Sequence, residues 1–182
     1  PGDHQHAPAG RVLRDDRPPA VHDHLDIVTG DGVTVRFNDP RRFGSVLWTE
    51  DDPALHPLIA PLGPEPLGDN FTAGYLHRRS RRRSVAIKPH IMNAHIVVGV
   101  GNIYASEALF RARIHPARAA GRVALPRLEA LVAAIRDVLT ESIRDGGTTL
   151  RDFHNGEGQP GYFSQHLRVY DRAGQPCVEC GT

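Results

Sequence analysis

Cysteine and long apolar runs are both scarce in this sequence. Only two of the 182 residues are cysteines, which excludes a fold held together by a disulfide framework. No apolar run approaches the roughly 20 residues of a membrane-spanning helix, and the N-terminus lacks the basic segment and apolar core of a signal peptide. With a hydrophobic content of 40%, these absences predict a soluble, cytoplasmic globular protein that does not contact a membrane.

Net charge is also nearly absent, because 22 basic residues are balanced by 21 acidic ones. The total therefore says little about binding partners, but the charges are unevenly distributed. Five arginines lie between positions 78 and 83, and Lys88 follows them. Such a cluster can neutralise the phosphates of a nucleic acid, although a solvated basic helix face has the same composition.

The N-terminal part of the sequence has the pattern of a small β domain. Two β-prone runs between His24 and Phe37 are joined by a Gly-Asp-Gly turn, which predicts a hairpin. A third β-prone run covers residues 45–48. Three strands cannot close a sandwich or a barrel, so we expect partner strands upstream of this sequence. Prolines then recur between positions 53 and 66, which indicates a linker between domains.

Helical patterns follow this linker. The strongest helix is predicted from about Pro126 to Asp145, where two glycines stop it. A shorter helix is predicted from about Ile103 to Ala112. The apolar stripe of the longer helix predicts that this face is core, and it comprises Leu128, Leu131, Val132, Ile135, Val138, Leu139 and Ile143.

A glycine-rich turn, Gly99-Val100-Gly101-Asn102, precedes the shorter helix. A helix N-terminus favours an anion, so this turn is a candidate phosphate site. Asn is also one of the best capping residues, and a plain N-cap is therefore the competing interpretation. The turn lacks the G-x-G-x-x-G spacing of a dinucleotide site.

Two loops carry residues that suit contact with DNA bases. The segment from Asp39 to Gly44 sets two arginines and Phe43 between strands, and an apolar wedge beside cations can enter a base stack. A structural Asp-Arg pair in a turn is the alternative. The glycine-rich segment between Gly146 and Phe163 can close over a flipped base, or it is a mobile connection.

Candidate metal ligands are few. Cys177 and Cys180 have the spacing of one half of a four-cysteine zinc site, whose tetrahedral closure needs two more ligands. His22-Asp23-His24 is a second candidate pair of ligands, with a plain strand edge as the alternative. No Ser-His-Asp set, metal-ligand helix or Walker loop stands out.

The order of several short strings resembles the formamidopyrimidine-DNA glycosylase family of bacterial repair enzymes. They span about residues 21–182 and are HDHLDI, FNDPRRFG, LGPEPL, AIKPHIM, VVGVGNIYASEALF, IHP, GGTTLRDF, GYF, LRVY and CVECGT. Endonuclease VIII is the sister group of this family. The strings DPRRFG, GNIYASE and GGTTL are similar to the formamidopyrimidine branch.

The resemblance implies an α+β fold, in which the closing strands of a β-sandwich domain precede a helix-two-turn-helix domain and a truncated zinc-finger stub. The expected boundaries are 1–52 for the C-terminal part of the β-sandwich domain and 53–70 for the linker. Residues 71–166 are expected to form the helix-two-turn-helix domain, and 167–182 the start of the zinc finger. The implied partner is damaged double-stranded DNA, bound between the domains by a monomer.

The resemblance also implies roles for individual residues. Asn102 matches the family's phosphate-binding asparagine, and Lys88 matches a lysine near the same DNA backbone. Arg41 and Phe43 match two members of the triad that fills the gap left by the flipped base. The remaining implied residues are His22, Arg83 and Tyr104 on DNA, Thr148, Thr149, Gly161 and Tyr162 in the lesion-recognition loop, and Cys177 and Cys180 on zinc.

Some family positions differ here or are not found. Many members carry Lys where this chain has Arg83, and either residue supplies the cation. The family nucleophile is an N-terminal proline followed by glutamate, whereas Pro1 is followed by glycine, and residues 9–13 match a strand inside the family's β domain. We therefore expect that Pro1 is not the nucleophile and that the catalytic residues lie upstream.

Two further departures concern DNA and metal contacts. Pro8 stands where the third intercalating residue, a methionine, is expected. The second pair of zinc cysteines and the arginine of the finger loop are expected beyond Thr182. The sequence thus predicts one zinc ion per full-length molecule and an incomplete ligand set in this chain.

The function implied is that of a base-excision repair glycosylase and AP lyase for oxidised purines such as 8-oxoguanine and formamidopyrimidines. The resemblance implies that the full-length protein flips the damaged base out of the duplex and forms a Schiff base with the sugar. The alternatives are a catalytically inactive fragment that binds damaged DNA and an endonuclease VIII-like glycosylase. A small zinc-ribbon interaction protein would instead not bind DNA.

Overall fold

A computed structural model describes residues 11–14, 17–40, 42–146 and 163–182. The chain divides into two compact units. The first holds the described residues up to Trp48 with those of 144–165, and the second holds 49–143 with 166–182. The mixed composition of a small sheet and several helices agrees with the α+β class that we predicted.

The first unit contains a three-stranded antiparallel sheet of order β1-β3-β2. Strand β1 is Arg11–Arg14, β2 is Asp23–Val28 and β3 is Thr34–Asn38. Val28 pairs with Thr34 next to the turn, where Gly32 has a φ of 82° that glycine adopts without steric cost. The predicted hairpin is confirmed.

The third predicted strand is wrong. Residues 45–48 form no strand, and β1 takes the place beside β3, with Val12 paired to Phe37. The side chains of Val46, Leu47 and Trp48 are all more than half exposed. The β-prone composition of this run reflects side-chain preferences, which do not make a strand without a neighbouring strand to accept its hydrogen bonds.

A polar network crosses the sheet around Arg36, whose side chain is only 3% exposed. Its guanidinium contacts both carboxylate oxygens of Asp26, at 2.7 and 2.8 Å, and donates to the Arg17 carbonyl at 2.7 Å. Asp23 accepts hydrogen bonds from the Ala20 amide and from Asn38, both at 2.7 Å. Burial alone would raise the pKa of Asp23, but these bonds and Arg17 outweigh it and lower the pKa to about 2.

The second unit is built from helices. Helix α1 is Ala73–Ser80, α2 is Ile87–Ile91, α3 is Asn102–Arg111 and α4 is Leu125–Arg144. Short 3-10 turns cover Pro53–Leu55, Ala120–Arg122 and, at the boundary of the two units, Phe163–His166. None of the helices in the described ranges has both the length and the apolarity needed to cross a membrane.

The two predicted helices are confirmed within one or two residues as α3 and α4. Six members of the predicted stripe on α4, from Leu128 to Leu139, are buried. Ile143 is 67% exposed, so its assignment to the core was wrong. It lies in the last turn of α4, where the hydrophobic period continues although the neighbouring chain does not cover it.

The stretch 53–70, predicted as a linker, contacts the helices of the second unit in its later half. The Gly63 amide donates to the Ala94 carbonyl at 2.7 Å, and a Cβ on Gly63 would lie 2.4 Å from the Ile96 carbonyl carbon. Arg136 of α4 donates to the carbonyls of Pro66 and Gly68. The domain boundaries themselves stay a prediction.

Candidate nucleic-acid interface

The N-terminus of α3 presents an exposed amide side chain. Gly101 is the N-cap, so Asn102 is the first helical residue, and the side chain of Asn102 does not cap the helix. The N-cap interpretation of Asn102 was therefore wrong. Asn102 is exposed, and among the described residues its side chain has no hydrogen-bond partner.

The backbone of this turn presents amides at the start of α3. Gly99 has a φ of 74°, a conformation that other residues rarely adopt. The Ala105 amide makes the first α-helical bond, to the Gly101 carbonyl at 2.9 Å. The backbone N–H groups of residues 102–104 precede that bond, and they lie at the positive end of the helix dipole. Together with the Asn102 side chain they form a set of donors suited to an anion.

Tyr104 lies two residues further along α3. Its hydroxyl forms a hydrogen bond of 2.8 Å with the Ser142 hydroxyl, and the residue is partly buried. Tyr104 therefore ties α3 to α4. The structure gives its hydroxyl a structural role, in addition to the DNA contact predicted from sequence.

Lys88 lies on α2, beside a cavity of about 760 Å³ in the second unit. Ser106 of α3 lines the same cavity, and its hydroxyl donates to the Asn102 carbonyl at 2.9 Å. The cavity also contacts Cys177 and Cys180. The structure thus brings Lys88, Ser106 of α3 and both cysteines to one cavity. Within the described ranges no acidic group pairs with the Lys88 ammonium.

Arg83 follows a sharp turn after α1. Arg82 has a φ of 59°, and the Arg83 amide donates to the Ser80 carbonyl at 3.0 Å. Arg83 is exposed, and none of the ion pairs between described residues involves it. Its charge is therefore available to a ligand.

His90 is buried in the same unit and hydrogen-bonds the Ser80 hydroxyl at 3.2 Å. Its burial, together with the charges of Arg83 and Arg79, lowers the pKa of His90. The imidazole is therefore neutral at pH 7. The repulsion by Arg83 and Arg79 is consistent with a positive electrostatic potential on this face of the unit.

A buried glutamate of α3, which sequence reasoning missed, holds the C-terminal segment. Glu107 is fully buried, and its carboxylate accepts the backbone N–H groups of Arg168, Val169 and Tyr170 at 2.9 to 3.0 Å. The feature of the sequence that could have identified Glu107 is a charged residue between Ala105 and Ala108, on the apolar face of the helix. Glu107 therefore binds the segment that leads to Cys177 to α3, the helix that also carries Asn102.

The two cysteines are unpaired thiols next to a turn at residues 177–182. The Thr182 hydroxyl lies 3.3 Å from the Cys180 sulfur, and hydrogen bonds from the side chain and backbone of Thr182 lower the pKa of Cys180. In the described part of the chain, no group of three or more His, Cys, Asp or Glu side chains is arranged to hold a metal. The assignment of Cys177 and Cys180 to one half of a tetrahedral zinc site therefore stays a prediction.

In the first unit, the loop after β3 is organised by Asp39. This buried carboxylate accepts the Gly44 amide at 2.6 Å, and a Cβ on Gly44 would lie 2.6 Å from the Phe37 ring. Phe43 is 76% exposed on this loop, and Arg42 is exposed with a φ of 56°. Asp39 therefore has a structural role, with Gly44 as its partner, and the loop still exposes an aromatic ring.

The two histidines predicted as metal ligands have other surroundings. His24 contacts the Asp39 carbonyl through its Nε2 at 2.9 Å, and Asp23 belongs to the network around Arg36. His22 is exposed, and its carbonyl accepts the Asp39 amide at 2.9 Å. The contacts favour the strand-edge interpretation of this segment.

Several predicted residues lie outside the described residues. They are Pro1, Pro8, Arg41, Thr148, Thr149, Gly161 and Tyr162.

Comparisons with known proteins connect both units to one family. Residues 62–154 match the model of the formamidopyrimidine-DNA glycosylase H2TH domain. The formamidopyrimidine-DNA glycosylase of Syntrophotalea carbinolica is 61% identical over 171 residues, which is 94% of this chain and 63% of the relative. That of Thioalkalivibrio sulfidiphilus is 58% identical over 172 residues, covering 94% of this chain and 64% of the relative.

Solved structures give the same result. The MutM (Fpg) protein of Thermus thermophilus superposes with a TM-score of 0.82 at 36% identity, over 96% of this chain and 65% of that one. The Lactococcus lactis Fpg, in complex with DNA containing an abasic site, superposes with a TM-score of 0.78 at 28% identity, over 96% and 64%. This chain spans less than two thirds of the length of these relatives. It belongs to the formamidopyrimidine-DNA glycosylase family.

Proposed function

We propose that the second unit binds the sugar-phosphate backbone of damaged duplex DNA at the N-terminus of α3. The observation that carries this proposal is the exposed Asn102 amide, unpaired among the described residues, beside the backbone N–H groups of Asn102 and Ile103 in the first turn of α3. A phosphate oxygen accepts several such donors at once, and the helix dipole favours its charge. Relatives solved with damaged DNA support the choice of ligand.

Lys88 and Arg83 supply further positive charge on the same unit. Lys88 lines the cavity that Ser106 of α3 also lines, and Arg83 is exposed on the same unit. Because neither has an acidic partner among the described residues, each can release a counterion when it neutralises a phosphate. Contacts of this kind position a protein on DNA without reading its sequence.

The first unit is proposed to contact the damaged position itself. Phe43 is the wedge that enters the base stack, and its exposure on a loop anchored by Asp39 supports this role. By resemblance, Arg41 assists Phe43, and His22 contacts the backbone. The lesion-recognition loop with Thr148, Thr149, Gly161 and Tyr162 holds the flipped base.

We propose that the protein to which this chain belongs removes oxidised purines, such as 8-oxoguanine and formamidopyrimidines, and then cleaves the strand. The name of its relatives, formamidopyrimidine-DNA glycosylase, supports this reaction class. A secondary amine attacks the sugar C1′ and displaces the base, and the resulting iminium permits strand cleavage by elimination. We assign that amine to a residue outside this chain and not to Pro1.

We propose that the domains of this chain are organised as in the rest of the family. The three-stranded sheet is then part of a β-sandwich domain that extends to residue 52, with the linker at 53–70 and the helix-two-turn-helix domain at 71–166. Cys177 and Cys180 contribute two zinc ligands in the segment 167–182, and the other two ligands come from outside the described residues. Zinc would fix that segment and supply no step of the reaction.

Binding is tested with the full 182-residue chain and a duplex that contains an abasic-site analogue. Asn102→Ala should raise Kd roughly ten- to hundred-fold, because a hydrogen bond to a charged group contributes about 1.5–3 kcal/mol. Asn70→Ala, at an exposed asparagine of the same unit, is the control and should leave Kd unchanged. Equal Kd values for the two variants would refute the phosphate site.

The chemistry is tested separately by borohydride trapping on an 8-oxoguanine duplex. We expect a covalent adduct with a full-length protein that contains this chain, and none with the 182-residue chain alone. The pairing of β1 with β3 supports this expectation, because it places residues 11–14 inside a sheet. An adduct formed through Pro1 would contradict it and would favour a complete active site within these residues.

A further inference from the structure

Two short segments of the second unit run antiparallel and are joined by backbone hydrogen bonds. The Gly121 amide donates to the Arg83 carbonyl and the Ala120 amide to the Val85 carbonyl, both at 2.9 Å. The Ile87 amide donates to the Arg118 carbonyl at 2.8 Å, and Ala86 and Ala119 form an antiparallel bridge. We call residues 83–88 and 116–122 the basic ladder.

The close approach of the two segments depends on small residues. Ala120 is fully buried, and a Cβ on Gly121 would lie 3.0 Å from both the amide nitrogen and the carbonyl oxygen of Arg83. Larger side chains at these positions would separate the segments. The ladder is therefore a defined structure, which fixes the positions of the residues that it carries.

Each segment of the ladder carries two cations. Arg83 and Lys88, for which the proposed function already gives a role, stand at the ends of the first segment. The second segment carries Arg118 and Arg122. The Arg118 carbonyl accepts the amide of Ile87, which directly precedes Lys88. Arg122 directly follows Gly121, whose amide donates to the Arg83 carbonyl. Because neighbouring strands lie about 4.8 Å apart, the backbone segments that carry the two pairs of cations are adjacent, and Arg122 lies opposite Arg83.

The charges of the second pair are not neutralised within the described part of the molecule. Both arginines are exposed, and neither is part of an ion pair there. Arg118 donates through its Nε to the Arg122 carbonyl at 3.2 Å, which orients the guanidinium, and its two terminal nitrogens have no partner among the described residues. Four cations on two adjacent segments, without acidic partners, are suited to a polyanion.

We propose that Arg118 and Arg122 form a second row of phosphate contacts on duplex DNA, next to the row of Arg83 and Lys88. The inference rests on the proposed function and extends it from the N-terminus of α3 to the whole length of the basic ladder. A guanidinium can donate two parallel hydrogen bonds to one phosphate, which suits Arg at both positions. The added contacts are independent of the damaged base and read no sequence.

The experiment measures the dependence of DNA affinity on salt. The 182-residue chain is titrated with an abasic-site duplex between 50 and 200 mM salt, roughly the range over which such contacts change affinity strongly. Each phosphate contact contributes about 0.9 to the slope of log K against log salt. We expect Arg122→Gln to lower the slope by about 0.9 and the Arg118→Gln, Arg122→Gln double variant by about 1.8.

The matched controls keep the charge at the same positions. Arg118→Lys and Arg122→Lys should retain the slope of the unsubstituted chain. If Arg118→Gln loosens the ladder and lowers the melting temperature, Arg122→Gln decides the question, because the side chain of Arg122 makes no hydrogen bond or ion pair within the described residues. A double Gln variant with an unchanged slope would overturn the inference.

The outcomes separate this inference from the proposed function. If Asn102→Ala weakens binding while the Gln variants keep the full slope, the second row is wrong and the phosphate site at α3 stands. If the unsubstituted chain does not bind duplex DNA at 50 mM salt, both the second row of contacts and the phosphate site at α3 are refuted. A reduced slope in the Gln variants with full recovery in the Lys variants supports the second row.

Discussion

Removal of the Glu107 carboxylate should release the C-terminal segment from α3. The carboxylate is fully buried and accepts three backbone N–H groups of residues 168–170. In Glu107→Ala these donors lose their charged acceptor, and each hydrogen bond to a charged group contributes about 1.5–3 kcal/mol. The variant should therefore lose at least about 3 kcal/mol of the free energy that keeps this segment docked.

Glu107→Gln gives a graded result, because the amide oxygen can still accept from Val169 and Tyr170. Its NH2 group then faces the Arg168 amide, so one bond is replaced by a contact between two donors. We expect this variant to fall between the unsubstituted chain and Glu107→Ala. The order of the three proteins distinguishes loss of hydrogen bonds from loss of side-chain volume, since Gln and Glu have similar size.

Hydrogen exchange at the amides of Arg168, Val169 and Tyr170 measures the effect directly, together with urea unfolding of the whole chain. Glu141→Ala is the matched control, because Glu141 pairs with Arg111 at 2.6 Å but its side chain is 35% exposed. A partly exposed pair contributes about 1 kcal/mol or less. The reasoning is refuted if Glu107→Ala and Glu141→Ala give the same exchange rates at residues 168–170.

Two further predictions concern the sheet and the packing of residues 53–70. The folded-state pKa of Asp23, about 2, lies below its ordinary 3.8, so its stabilisation is fully present above pH 3.8 and is lost as pH falls through about 2. Asp23→Asn should flatten this acid dependence in NMR-monitored unfolding, although Asp26, whose pKa is lowered chiefly by its hydrogen bond with Arg36, keeps part of it. Gly63→Ala should destabilise the second unit by about 1–3 kcal/mol in thermal melts, because its Cβ would meet the Ile96 backbone. Gly68→Ala, whose Cβ meets only ordinary contacts, should melt close to the unsubstituted chain, and a larger loss there than at Gly63 would contradict the packing argument.

The elements that could be predicted from sequence are those whose signals are local. The Gly-Asp-Gly turn and its flanking alternation identified the hairpin, and the apolar period identified α3 and α4. The same period led us to assign Ile143 to the core, although this residue is exposed. Periodicity alone does not show which turns of a helix are covered by other parts of the protein. Residues 45–48 had strand composition, but no strand in the described part of the chain pairs with them.

The candidate site was only partly predictable for the same reason. The phosphate-binding role of Asn102 stays a prediction, whereas capping statistics favoured for it a role that the structure gives to Gly101. Glu107 could not be interpreted, since its partners lie 61 to 63 residues further along the chain. The contribution of Arg118 and Arg122 to the basic ladder depends on backbone bonds between segments that sequence patterns do not connect.

An NMR titration tests the central claim, that the N-terminus of α3 holds a DNA phosphate. An abasic-site duplex is added to the isotope-labelled 182-residue chain at low salt, and backbone amide shifts are followed. We expect the largest changes at Asn102 and Ile103, because their N–H groups would donate to the phosphate, and smaller changes at Lys88. Changes confined to other parts of the second unit, with Asn102 and Ile103 unshifted at saturation, would contradict the account.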